Sequence, residues 1–391
     1  MCKPAGAACN LACDYCYYLE KKSLYRGEGL MMSDATLERF IKQYIASQTT
    51  DEVMFTWHGG EPLLRPIAFY RKALKLQKKF AAGHLIENSI QTNGTLLTPE
   101  WCQFLHDNHF LVGISIDGPK EQHDHYRHTA SGNSTFYQVM RGIELLRRYK
   151  VEFNIMATVN NANVMKPLEF YDFFKRMGCH YIQFTPIVER FSTDHALLHQ
   201  SSDEGGSLAE FSVDPQLWGE FLCSIYDEWI KADVGTYYIQ LFDSTLANWV
   251  GVTPGLCTMA RTCGHAAVME YNGDMYSCDH FVFPQYRLGN IQSSSIIDMM
   301  YGERQKHFAT IKEGTLTRQC RECEYLFACH GECPKNRFAT SVYGEPGHNY
   351  LCAGYYRFFK HVAVTMDYMK NEYINGRPPA NVMQWLKGER T

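Results

Sequence analysis

Long hydrophobic runs are missing from this 391-residue chain. No apolar stretch approaches the roughly 20 residues that span a bilayer, so a membrane-embedded protein is not expected. The N-terminus, MCKPAGAACN, has no hydrophobic signal region, and a cytoplasmic setting is expected. An excess of either charge is missing too, with Lys plus Arg at 38 against Asp plus Glu at 42. Nothing basic enough to track a phosphate backbone stands out, so nucleic acid is not an expected partner. What remains is an ordinary globular composition with ample material for a core.

Cysteine is the exception. Fifteen are present, an odd number that cannot pair completely, and disulfides are disfavoured in the cytoplasm. Metal ligation is the better reading. Cys9, Cys13 and Cys16 are spaced C-x3-C-x2-C in CNLACDYCYY. Three ligands are one short of a closed tetrahedral zinc site. A four-iron cluster held by three thiolates instead leaves one iron open, which a reactive cofactor needs.

The chain around the triad alternates strand and helix. Apolar, strand-like runs occur at Val53–Trp57, Ser89–Thr92, Leu111–Ile116, Phe153–Val159 and Tyr181–Pro186. Helical spacing separates them, as in SDATLERFIKQYIASQ, where Ser33 is placed to cap and Leu37, Phe40, Ile41 and Tyr44 recur. With a short strand before Cys9, six βα units fit the first 190 or so residues, which predicts a parallel α/β fold in a partial, open (β/α)6 TIM-like barrel. The stretches HGGEP, QTNGT and SIDGP follow the second, third and fourth strands. In parallel α/β folds the loops at that end of the strands build the site, and the triad belongs there as well.

The triad, with an aromatic residue before its last cysteine and HGGEP in register, resembles the radical S-adenosylmethionine (SAM) superfamily. The resemblance implies that Cys9, Cys13 and Cys16 hold a 4Fe-4S cluster whose open iron binds SAM. It implies SAM contacts at Tyr15, at Gly60 of the GGEP loop, at Ser115 of SIDGP, at Arg127 of HYRH and at Val188 against the adenine. Read as a residue type, Val188 in an apolar strand is ordinarily core. Tyr18 and His58 flank the same loops and are expected at the mouth.

The second half carries eight more cysteines in ligand-like spacing: Cys257, Cys263 and Cys278, then Cys320, Cys323, Cys329 and Cys333, then Cys352. Eight suffice for two four-ligand sites, and spacing alone leaves zinc and iron-sulfur clusters equally open. The run resembles the SPASM extension with its two auxiliary 4Fe-4S clusters. That resemblance implies Cys257, Cys263, Cys278 and Cys333 for the first cluster and Cys320, Cys323, Cys329 and Cys352 for the second. Cys102, Cys179 and Cys223 sit among apolar neighbours and read as small buried hydrophobes; Cys2 is too near the terminus to assign.

TWHGGEPLL, IQTNGTLL, VGISIDGPKEQHD, YIQFTPIVER, YSCDHFVFP and ACHGECPKNRF are together similar to the anaerobic sulfatase-maturating enzymes. The resemblance implies oxidation of a Cys or Ser side chain in a sulfatase, within a C/S-x-P-x-R motif, to Cα-formylglycine. A 5′-deoxyadenosyl radical would take hydrogen from Cβ, Asp279 would take a proton, and the auxiliary clusters an electron. Read as a residue type, Asp279 more often caps a turn; as the base the resemblance implies, it is expected to gain proton affinity by burial. A reductant such as flavodoxin or ferredoxin is implied as a partner. Members usually carry a longer first strand, whereas this chain starts eight residues ahead of Cys9. The expected division is a radical SAM barrel over 1–235, a SPASM domain over 236–354 and a helical tail over 355–391. Two other functions remain: a SPASM enzyme that forms thioether or carbon–carbon crosslinks in a peptide precursor, and a non-catalytic iron-sulfur electron carrier.

Overall fold

A computed structural model describes residues 1–25, 31–191 and 206–388, with the backbone alone of 197–198. The chain forms two compact units, each assembled from separate stretches: Met1–Ile116, His123–Asn154 and His265–Phe308 in the first, Asp117–Gln122, Ile155–Gly264 and Ala309–Thr391 in the second.

The first unit is built on parallel strands β1 (Cys2–Lys3), β2 (Glu52–Trp57), β3 (Leu85–Thr92) and β4 (Leu111–Ser115). Glu52 pairs with Leu85 and Ser89 with Leu111, each register running on in parallel. The first strand has two residues yet pairs on both sides, Cys2 with Trp57 and with Met269, and Lys3 with Glu270. The strand Val268–Glu270 that flanks β1 leads into an antiparallel meander through Asp274–Tyr276 and Arg287–Asn290.

Alternation on β2 explains the core. Val53, Phe55 and Trp57 are buried while Glu52 and Met54 face out. Trp57 is wholly buried among Phe40, Phe55, Phe69 and Tyr70, and its indole N–H donates to Asn88 Oδ1 at 2.8 Å, so its one polar group is satisfied. The helix Asp34–Ala46 starts where Ser33 Oγ accepts from the Thr36 N–H, the cap its sequence predicts, and it buries Leu37, Phe40, Ile41 and Ile45. Tyr44, on the same predicted face, is only half-buried because its hydroxyl reaches out to the Met54 carbonyl.

In the second unit β5 (Phe153–Val159) pairs in parallel with β6 (Tyr181–Pro186), which pairs in parallel with Tyr238–Ile239. All five predicted strand runs are present, with the one at Ser89 extended back to Leu85. The helices Pro215–Ala232 and Cys352–Ile374 pack directly on each other. Gly219 and Gly354 make that possible: a Cβ on Gly354 would stand 2.2 Å from the Pro215 carbonyl oxygen. Among the described residues no helix is long and apolar enough to cross a membrane.

Candidate functional site

β1 delivers the chain to the triad, and the loop after β2 fixes it there. The His58 N–H donates to the Cys2 carbonyl at 2.9 Å, Gly60 to Gly6 at 2.8 Å and Glu61 to Ala8 at 2.8 Å. Backbone lies on backbone with no room for a side chain, since a Cβ on Gly60 would stand 2.1 Å from the Ala8 oxygen. Gly59 has φ +136°, which glycine adopts without strain.

Glu61 then ties this loop to the one after β3. It is wholly buried; Oε1 accepts from the Leu63 N–H and the Thr92 hydroxyl, both at 2.8 Å, and Oε2 from the Asn93 N–H at 2.8 Å. Burial pushes its carboxyl up to about 7 against the opposing pull of those donors. Asn93 in turn points Nδ2 at Cys9 Sγ, 3.8 Å away, and the Leu11 N–H donates to the same sulfur at 3.4 Å. These are donors already aimed where a thiolate would sit. Burial pushes the Cys9 thiol up to about 11, so metal binding there must release a proton. The donor set suits an iron-sulfur cluster.

The expected SAM residues fall at the ends of these elements. Ser115 ends β4, and its Oγ accepts from Gln91 Nε2 at 3.0 Å. Arg127 is buried and donates from Nη1 to the Tyr15 hydroxyl at 3.0 Å. Tyr15, Gly60, Ser115 and Arg127 are thus all in the first unit. Val188 is a buried residue of the second unit, and its carbonyl accepts from Lys335 Nζ at 2.5 Å.

Asp279 also belongs to the first unit, and its surroundings reverse one expectation. Burial alone would raise its pKa, but its Oδ1 is ion-paired with the wholly buried Lys3, whose charge is the largest opposing effect. The carboxyl is held well below the usual carboxylate range. Oδ2 accepts from the Tyr17 hydroxyl at 2.5 Å, so the residue next to Cys16 grips Asp279 directly. Tyr18, expected at the mouth, is buried beneath Lys3, with Nζ 3.1 Å from its ring centroid and its hydroxyl donating to Glu270 Oε1. His58 Nδ1 accepts from the Gly59 N–H at 2.7 Å, and burial lowers its pKa to about 4, so the ring is neutral. Glu61 is the glutamate of the GGEP loop that the motif marks, whereas Lys3 and Tyr17 have no role that the motifs assign.

The second unit holds the remaining expected cluster ligands except Cys278, which precedes Asp279 in the first. Cys320, Cys323, Cys329 and Cys352 line one cavity of about 560 Å³, shared with His348 and Tyr356. Four thiols around one such cavity suit a four-ligand cluster. Cys257, Cys263 and Cys333 do not line it. The Cys257 turn is clasped by Lys312, whose Nζ donates to the carbonyls of Cys257 at 2.9 Å, Thr258 at 2.6 Å and Ala260.

Residues 4–174 match the family model described as the radical SAM superfamily, and 257–324 one described as an iron-sulfur cluster-binding domain. The chain is 60% identical over 99% of its length, and 94% of the relative's, to a serine-type anaerobic sulfatase-maturating enzyme of Bacteroides thetaiotaomicron. It is 33% identical to a cysteine-type anaerobic sulfatase-maturating enzyme of Clostridium perfringens, over 92% of this chain and 94% of that one. The solved structure titled native anSMEcpe with bound AdoMet and Cp18Cys peptide matches with a TM-score of 0.83 at 31% identity, over 95% of this chain and 98% of the other. The fold is therefore a radical SAM domain followed by a cysteine-rich SPASM domain.

Proposed function

The chain belongs to the anaerobic sulfatase-maturating enzymes, and from that premise we propose that it converts a Ser or Cys side chain of a sulfatase to Cα-formylglycine with SAM as co-substrate. The observation that carries the mechanism is the grip of Tyr17 and Lys3 on Asp279, which joins the proposed base to the triad loop within one unit.

Cys9, Cys13 and Cys16 would hold the SAM-binding cluster, Cys257, Cys263, Cys278 and Cys333 the first auxiliary cluster, and Cys320, Cys323, Cys329 and Cys352 the second. Bound together, clusters and SAM would supply removal of one hydrogen atom from the substrate Cβ and an exit for one further electron. The remaining proton, from the hydroxyl or thiol, goes to Asp279; Ser then stands as the aldehyde, whereas Cys stands as a thioaldehyde that water hydrolyses to the aldehyde with release of hydrogen sulfide. Lys3 keeps that carboxylate ionised, at the cost of proton affinity, and the Tyr17 hydroxyl orients it. Arg127 offers its guanidinium to the SAM carboxylate, the pairing its fork geometry suits. Tyr15 orients Arg127, the Gly60 backbone closes over the methionine end, and Ser115 and Val188 complete the SAM site.

The substrate is a sulfatase polypeptide with a C/S-x-P-x-R motif, and flavodoxin or ferredoxin supplies electrons in the cytoplasm. The 60% identical relative is named serine-type, which favours Ser as the target. Anaerobic incubation with SAM, reductant and a Ser-x-Pro-x-Arg peptide or its Cys twin, read by mass spectrometry, tests this. Aldehyde from the Ser peptide is expected, with about twelve irons per chain. SAM cleavage without aldehyde from either peptide would turn the assignment toward crosslinking chemistry.

A further inference from the structure

Two cations of the second unit are buried with no carboxylate at ion-pair distance among the described residues. Lys312 is wholly buried and Arg337 is 3% exposed. Lys312 Nζ spends its donors on the Cys257, Thr258 and Ala260 carbonyls. Arg337 donates from Nε to the Gly331 carbonyl at 2.9 Å and from Nη1 to the Lys312 carbonyl at 2.6 Å and Thr315 Oγ1 at 2.9 Å. Its Nη2 reaches the carbonyls of His330 at 3.1 Å and Glu332 at 3.4 Å. The buried Glu332 carboxylate acts electrostatically on both without an ion pair to either, while its Oε2 accepts from Asn336 Nδ2 at 3.1 Å and Asn349 Nδ2 at 2.7 Å.

Burying a cation costs several kcal/mol after relaxation, and carbonyl dipoles offset only part of that. One carboxylate, Glu332, itself pushed toward its neutral form by burial, does not match two buried cations, and the other negative partners that act on them are the cluster thiols. Lys312 acts electrostatically on Cys257, Cys263 and Cys333, the three proposed ligands of the first auxiliary cluster that lie in this unit. Arg337 braces the turn between Cys329 and Cys333, where His330 (φ +48°), Gly331 (φ +71°) and Glu332 (φ +51°) are all left-handed. Two non-glycine residues in that region cost about 1 kcal/mol each, which the five Arg337 hydrogen bonds offset.

We infer that Lys312 and Arg337 are the countercharge of the auxiliary clusters, and that Lys312 is a positioning residue that raises the electron affinity of the first. A four-iron cluster on four thiolates carries about −2 in its oxidised form, and reduction adds a further negative charge. A fixed ammonium beside it favours that added electron, since net charge and hydrogen bonding set cluster potential. The inference rests on the cluster assignment under Proposed function and adds a residue that no cysteine pattern marks.

The test uses reconstituted full-length protein, with iron per chain and an EPR-monitored redox titration as readouts. Lys312→Gln removes the charge but keeps an amide donor for the carbonyls. Its iron content is expected to match the parent. The equilibrium constant for electron uptake by the first auxiliary cluster should fall about tenfold, which is 59 mV for a one-electron step. Lys312→Arg should restore the parent potential. A Lys312→Gln protein with full iron and an unchanged potential overturns the proposal. If Lys312→Gln loses its iron, Lys312→Arg decides: iron and potential retained sustain the proposal, and iron lost there too overturns it. Parent protein that takes up zinc in place of iron would instead sink the underlying cluster assignment.

Discussion

The triad loop of the first unit and the cysteine-rich segment of the second both present thiols, yet each is braced by a buried charge of the opposite sign. Around the triad the brace is a carboxylate: Glu61 accepts from the backbone N–H groups of Leu63 and Asn93. In the second unit the braces are cations: Lys312 and Arg337 donate to carbonyls at Cys257, Thr258, His330 and Gly331. The difference follows from which face of the peptide each loop turns inward. Loops that turn N–H groups in require a buried acceptor, and loops that turn carbonyls in require a buried donor. The contrast is one of loop bracing and not of net charge, since Lys3 and Arg127 are also buried in the first unit and Glu332 in the second.

Cysteine deletion divides the two regions most sharply. Replacing Cys9, Cys13 and Cys16 with Ala should remove about a third of the iron and abolish SAM cleavage, because the open iron is lost. Replacing Cys320, Cys323, Cys329 and Cys352 should remove a similar share of iron and leave SAM cleavage intact. Iron analysis and deoxyadenosine release on the same samples check both. Equal loss of SAM cleavage in the two variants would mean that the regions do not act separately.

Asp279→Asn is the next largest effect. The variant should keep its iron and still cleave SAM, while aldehyde yield falls roughly 10²-fold, the scale for losing a general base. The ratio of deoxyadenosine to aldehyde therefore rises. A turn-capping role would lower iron and both products together, and unchanged aldehyde would remove Asp279 from the mechanism.

Strands, helices and loop positions were legible because they rest on local patterns. Alternation marks β2, helical spacing marks Asp34–Ala46, and Ser33 caps where its sequence predicts. The cysteines were legible by residue type, and Cys320, Cys323, Cys329 and Cys352 do line one cavity, but their interleaving with Cys333 came only from the family resemblance. The buried charges were not legible. Lys3 in MCKP reads as a surface lysine at a chain end, yet β1 is flanked on both sides and carries it inside. That one tertiary fact reverses the expected direction of the Asp279 pKa and draws Tyr18 inward. Lys312 and Arg337 failed the same way, since a charge inside a helix or hairpin reads as solvated until its neighbours are known.

A glycine in each region tests how the braces work. A Cβ on Gly60 would press on the Ala8 oxygen at 2.1 Å and the Ala8 carbonyl carbon at 2.6 Å, both backbone. Gly60→Ala must therefore move the segment that leads to the triad, at a cost of roughly 4 kcal/mol or more. A Cβ on Gly331 would meet Leu316 Cδ2 at 2.4 Å and Arg337 Nη2 at 2.6 Å, both side-chain ends. Those ends can turn aside, so Gly331→Ala should cost less, about 1–3 kcal/mol including its left-handed backbone. Urea unfolding gives the order, and the reverse order would mean that the Arg337 clasp is the more rigid of the two.

The smallest effect is the pH dependence that Glu270 contributes in the first unit. Burial raises the Glu270 carboxyl from 4.5 to about 7, with Lys3 pulling the other way, and Glu61 moves over the same range. A carboxyl raised on folding binds its proton more tightly in the native chain. Its stabilising contribution is thus complete below about 4.5 and is lost as pH climbs through about 7. The displacement from 4.5 to about 7 is worth at most about 3 kcal/mol for each residue. Glu270→Gln is the cleaner probe, because the Tyr18 hydroxyl still finds an oxygen at the same place, whereas Glu61→Gln turns an amide donor toward backbone N–H groups. Anaerobic urea unfolding between about pH 5 and about pH 8 should show parent stability falling with pH and Glu270→Gln falling less steeply. Identical slopes would mean that Lys3 keeps Glu270 ionised throughout, and the buried ion cluster of the first unit would then hold two carboxylates on one ammonium.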